Sequence, residues 1–282
     1  MFEQITIIGV GLLGGSLGKA IKEKKIARKV VGIVRRKQSI KEVLSYKACD
    51  EVTLNIASGV KDADLIIIAT PVGKIVPMVE SILPHLKPNT IITDVGSVKE
   101  AIVDLAQEKC QGKALFIGSH PIAGSEKRGV NASSADLFKN TVCIVTPTKK
   151  SDKTALEKVI SFWKKVNASV EILTVKEHDK VMAAASHLPH LIAATLVNSV
   201  FKQKKKKIEK FVGGGFKDTT RIASSSSKIW LDIFQSNQKE VLASLEIFKR
   251  EIEKTINSLK HHKWQRLNSL LKNAKTSRDK VK

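Results

Sequence analysis

Acidic side chains are in short supply. The chain of 282 residues has 27 Asp and Glu against 49 Lys and Arg, a formal net charge of +22. This excess predicts anionic partners, of which two classes fit. One is nucleic acid, whose phosphates lysine and arginine neutralise. The other is small anionic ligands drawn in by a positive field. Aromatic side chains bear on the choice: three Trp and one Tyr are poor material for stacking bases. The cations are spread along the chain, and the dense run KQKKKK (202–207) is of a kind that usually forms a solvated loop or helix end. The three cysteines, Cys49, Cys110 and Cys143, are far apart and odd in number. They offer neither a disulfide framework nor metal-ligand spacing, and a reducing cytosol is the expected compartment. A signal peptide is not expected, because MFEQITIIGVG lacks a charged segment before its apolar run. The apolar stretch VMAAASHLPHLIAATLVNSVF (181–201) contains two His, a Pro and an Asn. It reads as a buried helix of a soluble protein rather than a membrane span.

What is present is alternation. Short β-branched runs predict strands at 4–10, 29–34, 63–70, 90–95, 114–120 and 140–147, and amphipathic runs predict helices at 14–25, 37–48, 73–86 and 97–109. Such alternation gives βαβ units and an α/β, Rossmann-type doubly wound sheet. A last helix and strand fit 149–173, after which the β signal stops and long helical patterns follow. The expected organisation is a dinucleotide-binding domain over 1–173 and an all-helical domain over 174–282, with a frayed C-terminal tail.

The motifs lie at the strand ends. GVGLLG (9–14) follows the first strand and opens the first helix. Gly9 would allow the tight turn, Gly11 close approach of a pyrophosphate, and Gly14 close helix–strand packing, with Leu12 and Leu13 between them. The helix N-terminus supplies N–H donors and a positive dipole end. An acid would be expected at the end of the second strand if the ligand were NAD. Val34 stands there instead, followed by Arg35, Arg36 and Ser39, which suit a ribose 2′-phosphate. NADP is therefore favoured, with NAD possible. ATPVG (69–73), with Thr70 and Pro71, and TDVGSVKE (93–100) reach the same sheet edge. Ser97 and Glu100 have the spacing of a capping box. The loop SHPIAGSEKRG (119–129) would deliver His120 to that edge, where a neutral imidazole can serve as a base. Glu126 could contact a charged substrate. In SHLPH, Ser186 and His190 are four apart and share a helix face, and Pro189 should kink the helix. GGGFKDTTRIA (213–223) supplies Lys217 and Arg221, the latter able to hold a carboxylate bidentately.

Together GVGLLGGS, TDVGSVK, GSHPIAGSEKRGV, SHLPH and GGGFKDTTRIA…IW resemble the prephenate/arogenate dehydrogenase family of tyrosine biosynthesis, in the family's order along nearly the whole chain. The resemblance implies oxidative decarboxylation of a cyclohexadienol, giving 4-hydroxyphenylpyruvate from prephenate or tyrosine from arogenate. It implies that His120 polarises the 4-hydroxyl with support from Ser97. Arg221 would bind a substrate carboxylate, and Ser186, His190, Lys217, Glu126 and Trp230 would line or gate the pocket. No metal is implied, the helical domain would form a homodimer, and His190 tilts the substrate towards prephenate. The chain ends soon after its last helices, so neither a C-terminal regulatory domain nor a chorismate mutase segment is expected. The alternatives are a β-hydroxyacid dehydrogenase, whose catalytic lysine lies on a helix of the second domain, and a Rossmann-type regulator that binds nucleic acid.

Overall fold

The computed structural model describes residues 1–124, 127, 129–203 and 207–281. Glu126 and the lysines at 204–206 lie outside the described residues. The first strands and helices alternate as expected: β1 (Phe2–Ile8), α1 (Leu12–Glu23), β2 (Ala27–Ile33), α2 (Lys37–Ser45), β3 (Glu51–Thr53), α3 (Ile56–Val60), β4 (Leu65–Ile68), α4 (Ile75–Ile82), β5 (Ile91–Asp94), α5 (Glu100–Cys110) and β6 (Leu115–Pro121). Two short elements, β3 and α3, lie where the sequence pattern gave no signal. Pro77 sits inside α4.

The sheet order is β3-β2-β1-β4-β5-β6, continued by β7 (Val142–Thr146) and β8 (Ser169–Ile172). Strands β1 to β6 are parallel. Among the described residues between β6 and β7 there is a 3₁₀ turn (Val130–Ala132) and no α-helix, and β7 pairs antiparallel with β6, as a connection without a crossover helix allows. The helix α6 (Lys153–Lys165) then makes β8 parallel to β7. Every residue of β4 is buried, because helices cover both faces. Leu65 and Ile67 pack with Ile5, Ile7, Leu17 and Phe162 on one face. Ile66 and Ile68 pack with Ile75, Val79 and Ile102 on the other.

The rest is helical: α7 (Val175–Met182), a π-helical segment (Ala183–His187), α8 (Leu188–Lys202), α9 (Gly214–Thr220), α10 (Ser227–Ser236), α11 (Gln238–Lys260) and α12 (Trp264–Arg278). The wide turn falls just before Pro189, where a proline frees a carbonyl. The helical sequence pattern over 231–274 is divided among three helices. Asn237 ends α10 with its side chain drawn into other hydrogen bonds, and His262 takes a left-handed backbone conformation between α11 and α12. Two compact units result, Met1–Asn237 and Gln238–Lys282.

The helix Val175–Lys202 is long and apolar enough to cross a membrane by length and composition, and 28% of its most apolar window is buried. The expectation of a buried helix is thus met on one face only. Met182, Ala183, His187, His190 and Ala193 point inward, whereas Leu191, Leu196 and Val200 are half-exposed and Phe201 is exposed.

Candidate active site

The glycine turn has the shape its spacing implies. Gly9 has φ +94°, and a Cβ there would stand 2.6 Å from the Ala69 carbonyl oxygen. A Cβ on Gly14 would stand 2.2 Å from the Gly9 oxygen, so α1 leaves the turn with no room for a side chain. A Cβ on Gly11 would meet nothing within 4 Å. That open space faces backbone at the positive end of α1, the arrangement that accepts a phosphate. Thr70, after β4, has a buried hydroxyl with no partner, a free hydrogen-bonding group at the same edge. Leu12 and Leu13 are half-buried, Pro71 is exposed, Arg35 and Arg36 are exposed just beyond β2, and Ser39 is half-buried in α2. The open cradle, the helix end and the orphan hydroxyl fit a dinucleotide.

Next to this edge, the second-last residue of β6 is His120, which is 7% exposed. The residue before it is pinned from several sides. The Ser119 amide donates to Asp94 Oδ1 at 3.2 Å, and the Ser119 hydroxyl donates to the Asp94 carbonyl at 2.6 Å. The Ser119 carbonyl accepts from Lys99 Nζ at 2.9 Å. Lys99 also forms an ion pair with Asp94, and both side chains are 0% exposed. Such a pair needs further hydrogen bonds to survive burial, and here Lys99 donates to the Ser119 carbonyl while Asp94 accepts from the Gly96 and Ser119 amides.

His120 Nδ1 lies 2.9 Å from His178 Nε2, and His178 Nδ1 lies 2.7 Å from Asp179 Oδ1. The Asp179 carboxylate also accepts from the amides of Lys99 at 2.7 Å and Glu100 at 2.9 Å. The expected capping box is therefore not formed. The N-cap of α5 is Lys99, and a carboxylate from α7 satisfies the first amides of the helix, with its charge favoured by the dipole. Ser97, half-buried, lies outside the cap. Burial pulls His120 well below the ordinary histidine value, aided by His178, Lys99 and His187. Burial likewise lowers His178 despite its bond to Asp179. Both rings are held neutral.

A second group of rings stands beside the first. His190 stacks on Trp230 with centroids 3.6 Å apart, and His187 meets Trp230 edge-on at 6.2 Å. Asn237 Nδ2 donates to the Asp179 carbonyl at 2.9 Å and approaches His187 Nδ1 at 3.2 Å. Burial lowers His187 to about 4 and also lowers His190. The π-helical turn changes which residues share the inner face. His187 and His190 are buried, and Ser186, expected beside His190, is half-buried. Asp232 of α10 accepts from the Gly73 amide at 2.9 Å, tying the Trp230 helix to the loop after β4. Lys217 and Arg221 are exposed, on α9 and on the 3₁₀ turn that packs against α8. Sequence reasoning missed Asp94, Lys99, His178 and Asn237 and gave no role to Asp179 and His187. Asp179 and His187 left a trace, as polar residues on the otherwise apolar inner stripe with Met182 and Ala183.

Two family models match, the nucleotide-binding domain of prephenate dehydrogenase over residues 17–172 and its dimerization domain over 174–273. The chain belongs to the prephenate dehydrogenase family. It is 37% identical to the prephenate dehydrogenase of Bacillus subtilis, covering 99% of this chain and 76% of that protein. The crystal structure of prephenate dehydrogenase from Aquifex aeolicus with hydroxyphenyl propionate and NAD+ superposes with a TM-score of 0.94 at 31% identity, over 100% of this chain and 99% of that one. Synechocystis arogenate dehydrogenase superposes with a TM-score of 0.85 at 28% identity, over 99% of this chain and 100% of that one. As a member of this family the chain is a dehydrogenase with a nicotinamide cofactor.

Proposed function

We propose that this enzyme converts prephenate to 4-hydroxyphenylpyruvate by oxidative decarboxylation, with NADP preferred over NAD. The observation that carries the proposal is His120, a buried neutral imidazole at the sheet edge that also holds the open glycine turn. The substrate's 4-hydroxyl donates to His120, which polarises the O–H bond while hydride leaves C4. Loss of the ring carboxylate as CO2 returns an electron pair to the ring, which becomes aromatic and keeps its hydroxyl proton as a phenol. The cofactor, when bound, supplies the hydride acceptor. Gly9, Gly11, Leu12, Leu13, Gly14, Thr70 and Pro71 hold it, and Arg35, Arg36 and Ser39 meet the 2′-phosphate.

Arg221 and Lys217 clamp the substrate's carboxylates, with Glu126 and Ser186 at the pocket rim. His190 and Trp230 form an aromatic wall, and Ser97 supports His120. His190, present and buried against Trp230, favours prephenate over arogenate. The division at 173/174 separates the dinucleotide-binding part from the substrate and dimerisation part. A second copy covers the half-exposed outer face of α8 and the exposed Ile252, Ile256 and Leu259, which share one face of α11. Two substrate carboxylates and a polyanionic cofactor account for the positive charge, without nucleic acid. His178, Asp179, His187 and His190 engage polar partners or ring contacts along the inner face of Val175–Lys202. This supports a cytosolic enzyme with no membrane span.

Steady-state rates for prephenate and arogenate, each with NADP+ and NAD+, test the reading. The prephenate–NADP+ pair should give the highest kcat/KM. No turnover of either cyclohexadienol would overturn it.

A further inference from the structure

We propose that His178 and Asp179 are positioning residues that fix the tautomer of His120, leaving its Nε2 as the hydrogen-bond acceptor for substrate. The inference deepens the proposed function and rests on His120 being its base.

The argument follows the protons. An ionised carboxylate can only accept, and Asp179 takes three donors: the amides of Lys99 and Glu100 and Nδ1 of His178. His178 therefore carries its proton on Nδ1. A neutral imidazole has one donor and one acceptor nitrogen, so His178 Nε2 is an acceptor. Across 2.9 Å it faces His120 Nδ1, which must then hold the His120 proton. His120 Nε2 is left with a lone pair. Burial keeps both rings neutral, so the assignment does not depend on a charged intermediate.

The relay is rigid as well as directional. His178 is fully buried. Asp179 is clamped at the start of α5 by its two amide bonds, and its own carbonyl accepts from Asn237. The ring planes of His120 and His178 meet at 63°, an edge-on approach that places a ring nitrogen rather than a π face against the neighbour. A hydrophobic residue in place of His178 would fill the space but offer Nδ1 no acceptor. His120 would then be free to place its proton on Nε2, where it blocks the role of base.

Long-range ¹H–¹⁵N spectra of the ¹⁵N-histidine-labelled protein, with no ligand added, read the tautomer directly. The His120 resonances are assigned by their loss in His120→Asn. The expected result is protonated Nδ1 and unprotonated Nε2 on His120. A His120 ring protonated on Nε2 would overturn the proposal, even if prephenate were turned over. The fixed tautomer without turnover of either cyclohexadienol would instead sink the proposed function and leave the relay standing. Kinetics give the second readout. His178→Leu should lower kcat about 10- to 100-fold, part of the 10²–10⁴ that a general base supplies. KM and cofactor affinity should change less than about threefold. His178→Gln, whose amide oxygen can accept from His120 Nδ1, should recover part of the loss. If His178→Leu does not fold, the His178→Gln variant and the wild-type spectrum still decide. Unchanged kcat in folded His178→Leu would also overturn the relay.

Discussion

His190 lies flat on Trp230, with ring centroids 3.6 Å apart and 10° between the planes. The indole is part of what keeps water from the imidazole, and burial is the cause that lowers the His190 pKa. Trp230→Ala should therefore let that pKa rise towards the ordinary value of about 6.5, measured by NMR titration. It should also lower kcat/KM for prephenate about tenfold, in line with an aromatic pair worth about 0.5–1.5 kcal/mol beyond its area. An unmoved His190 titration would show that other groups shield the ring.

His120→Asn keeps a polar side chain of similar reach but cannot act as a base. Turnover should fall about 10²–10⁴-fold while cofactor affinity stays near that of the parent, as measured by fluorescence titration. Unchanged kinetics would remove His120 from the mechanism.

Stability should depend on pH in a window set by histidine. The pKa values of His120, His178, His187 and His190 are all lowered in the folded protein, His187 to about 4. The unfolded chain takes up these protons at about pH 6.5, and the folded chain does so only at lower pH. Unfolding is then linked to proton uptake, so stability is fully present above about pH 6.5 and is lost as the pH falls towards the folded values. Thermal melts should show Tm falling between about pH 6.5 and pH 5, with a shallower slope in His187→Asn. A flat Tm over that interval would contradict the assignment of these rings as buried and neutral.

Arg35 and Arg36 are exposed past the end of β2, where Val34 stands at the position expected to hold an acid in an NAD site. The double variant Arg35→Ala, Arg36→Ala should weaken NADP+ binding about tenfold or more, the scale of charge-assisted hydrogen bonds, and leave NAD+ nearly unaffected. Equal losses for both cofactors would show that the arginines contribute only to the general field.

The face of α11 with Ile252, Ile256 and Leu259 is exposed in the single chain. A charge placed there, as in Ile256→Lys, should shift sedimentation from dimer towards monomer, because desolvating an unpaired ammonium is costly. Persistence of the dimer would move the interface elsewhere.

The parts of the site visible in the sequence are those written in local spacing. Gly9, Gly11 and Gly14 read as a turn because each glycine answers to a neighbour a few residues away. His120 could be placed because a strand ends at it. The network beneath His120 is written in long-range contacts: Asp94 with Ser119 is 25 residues apart, His120 with His178 is 58, and Lys99 with Asp179 is 80. Lys99 in SVKE and His178 in KEHDK look like solvated helix starts, and only the packing of α7 against α5 shows otherwise. The same holds for Ser97, whose capping spacing is right but whose cap is made by a tertiary carboxylate. β3 escaped notice because three residues are too few for a period to show.

The hydrogen bonds that α7 and α10 make to the start of α5, to β6 and to the turn after β4 set a limit on exchange of parts. A fragment ending at residue 173 would keep the glycine turn, α5 and His120. It would lose the carboxylate that closes the start of α5, the ring that faces His120 Nδ1, and the Asp232 contact to Gly73. The nucleotide-binding half of this chain is thus no interchangeable cassette. A chimera would preserve the surroundings of His120 and Gly73 only if the graft carried the segment 174–237 with it.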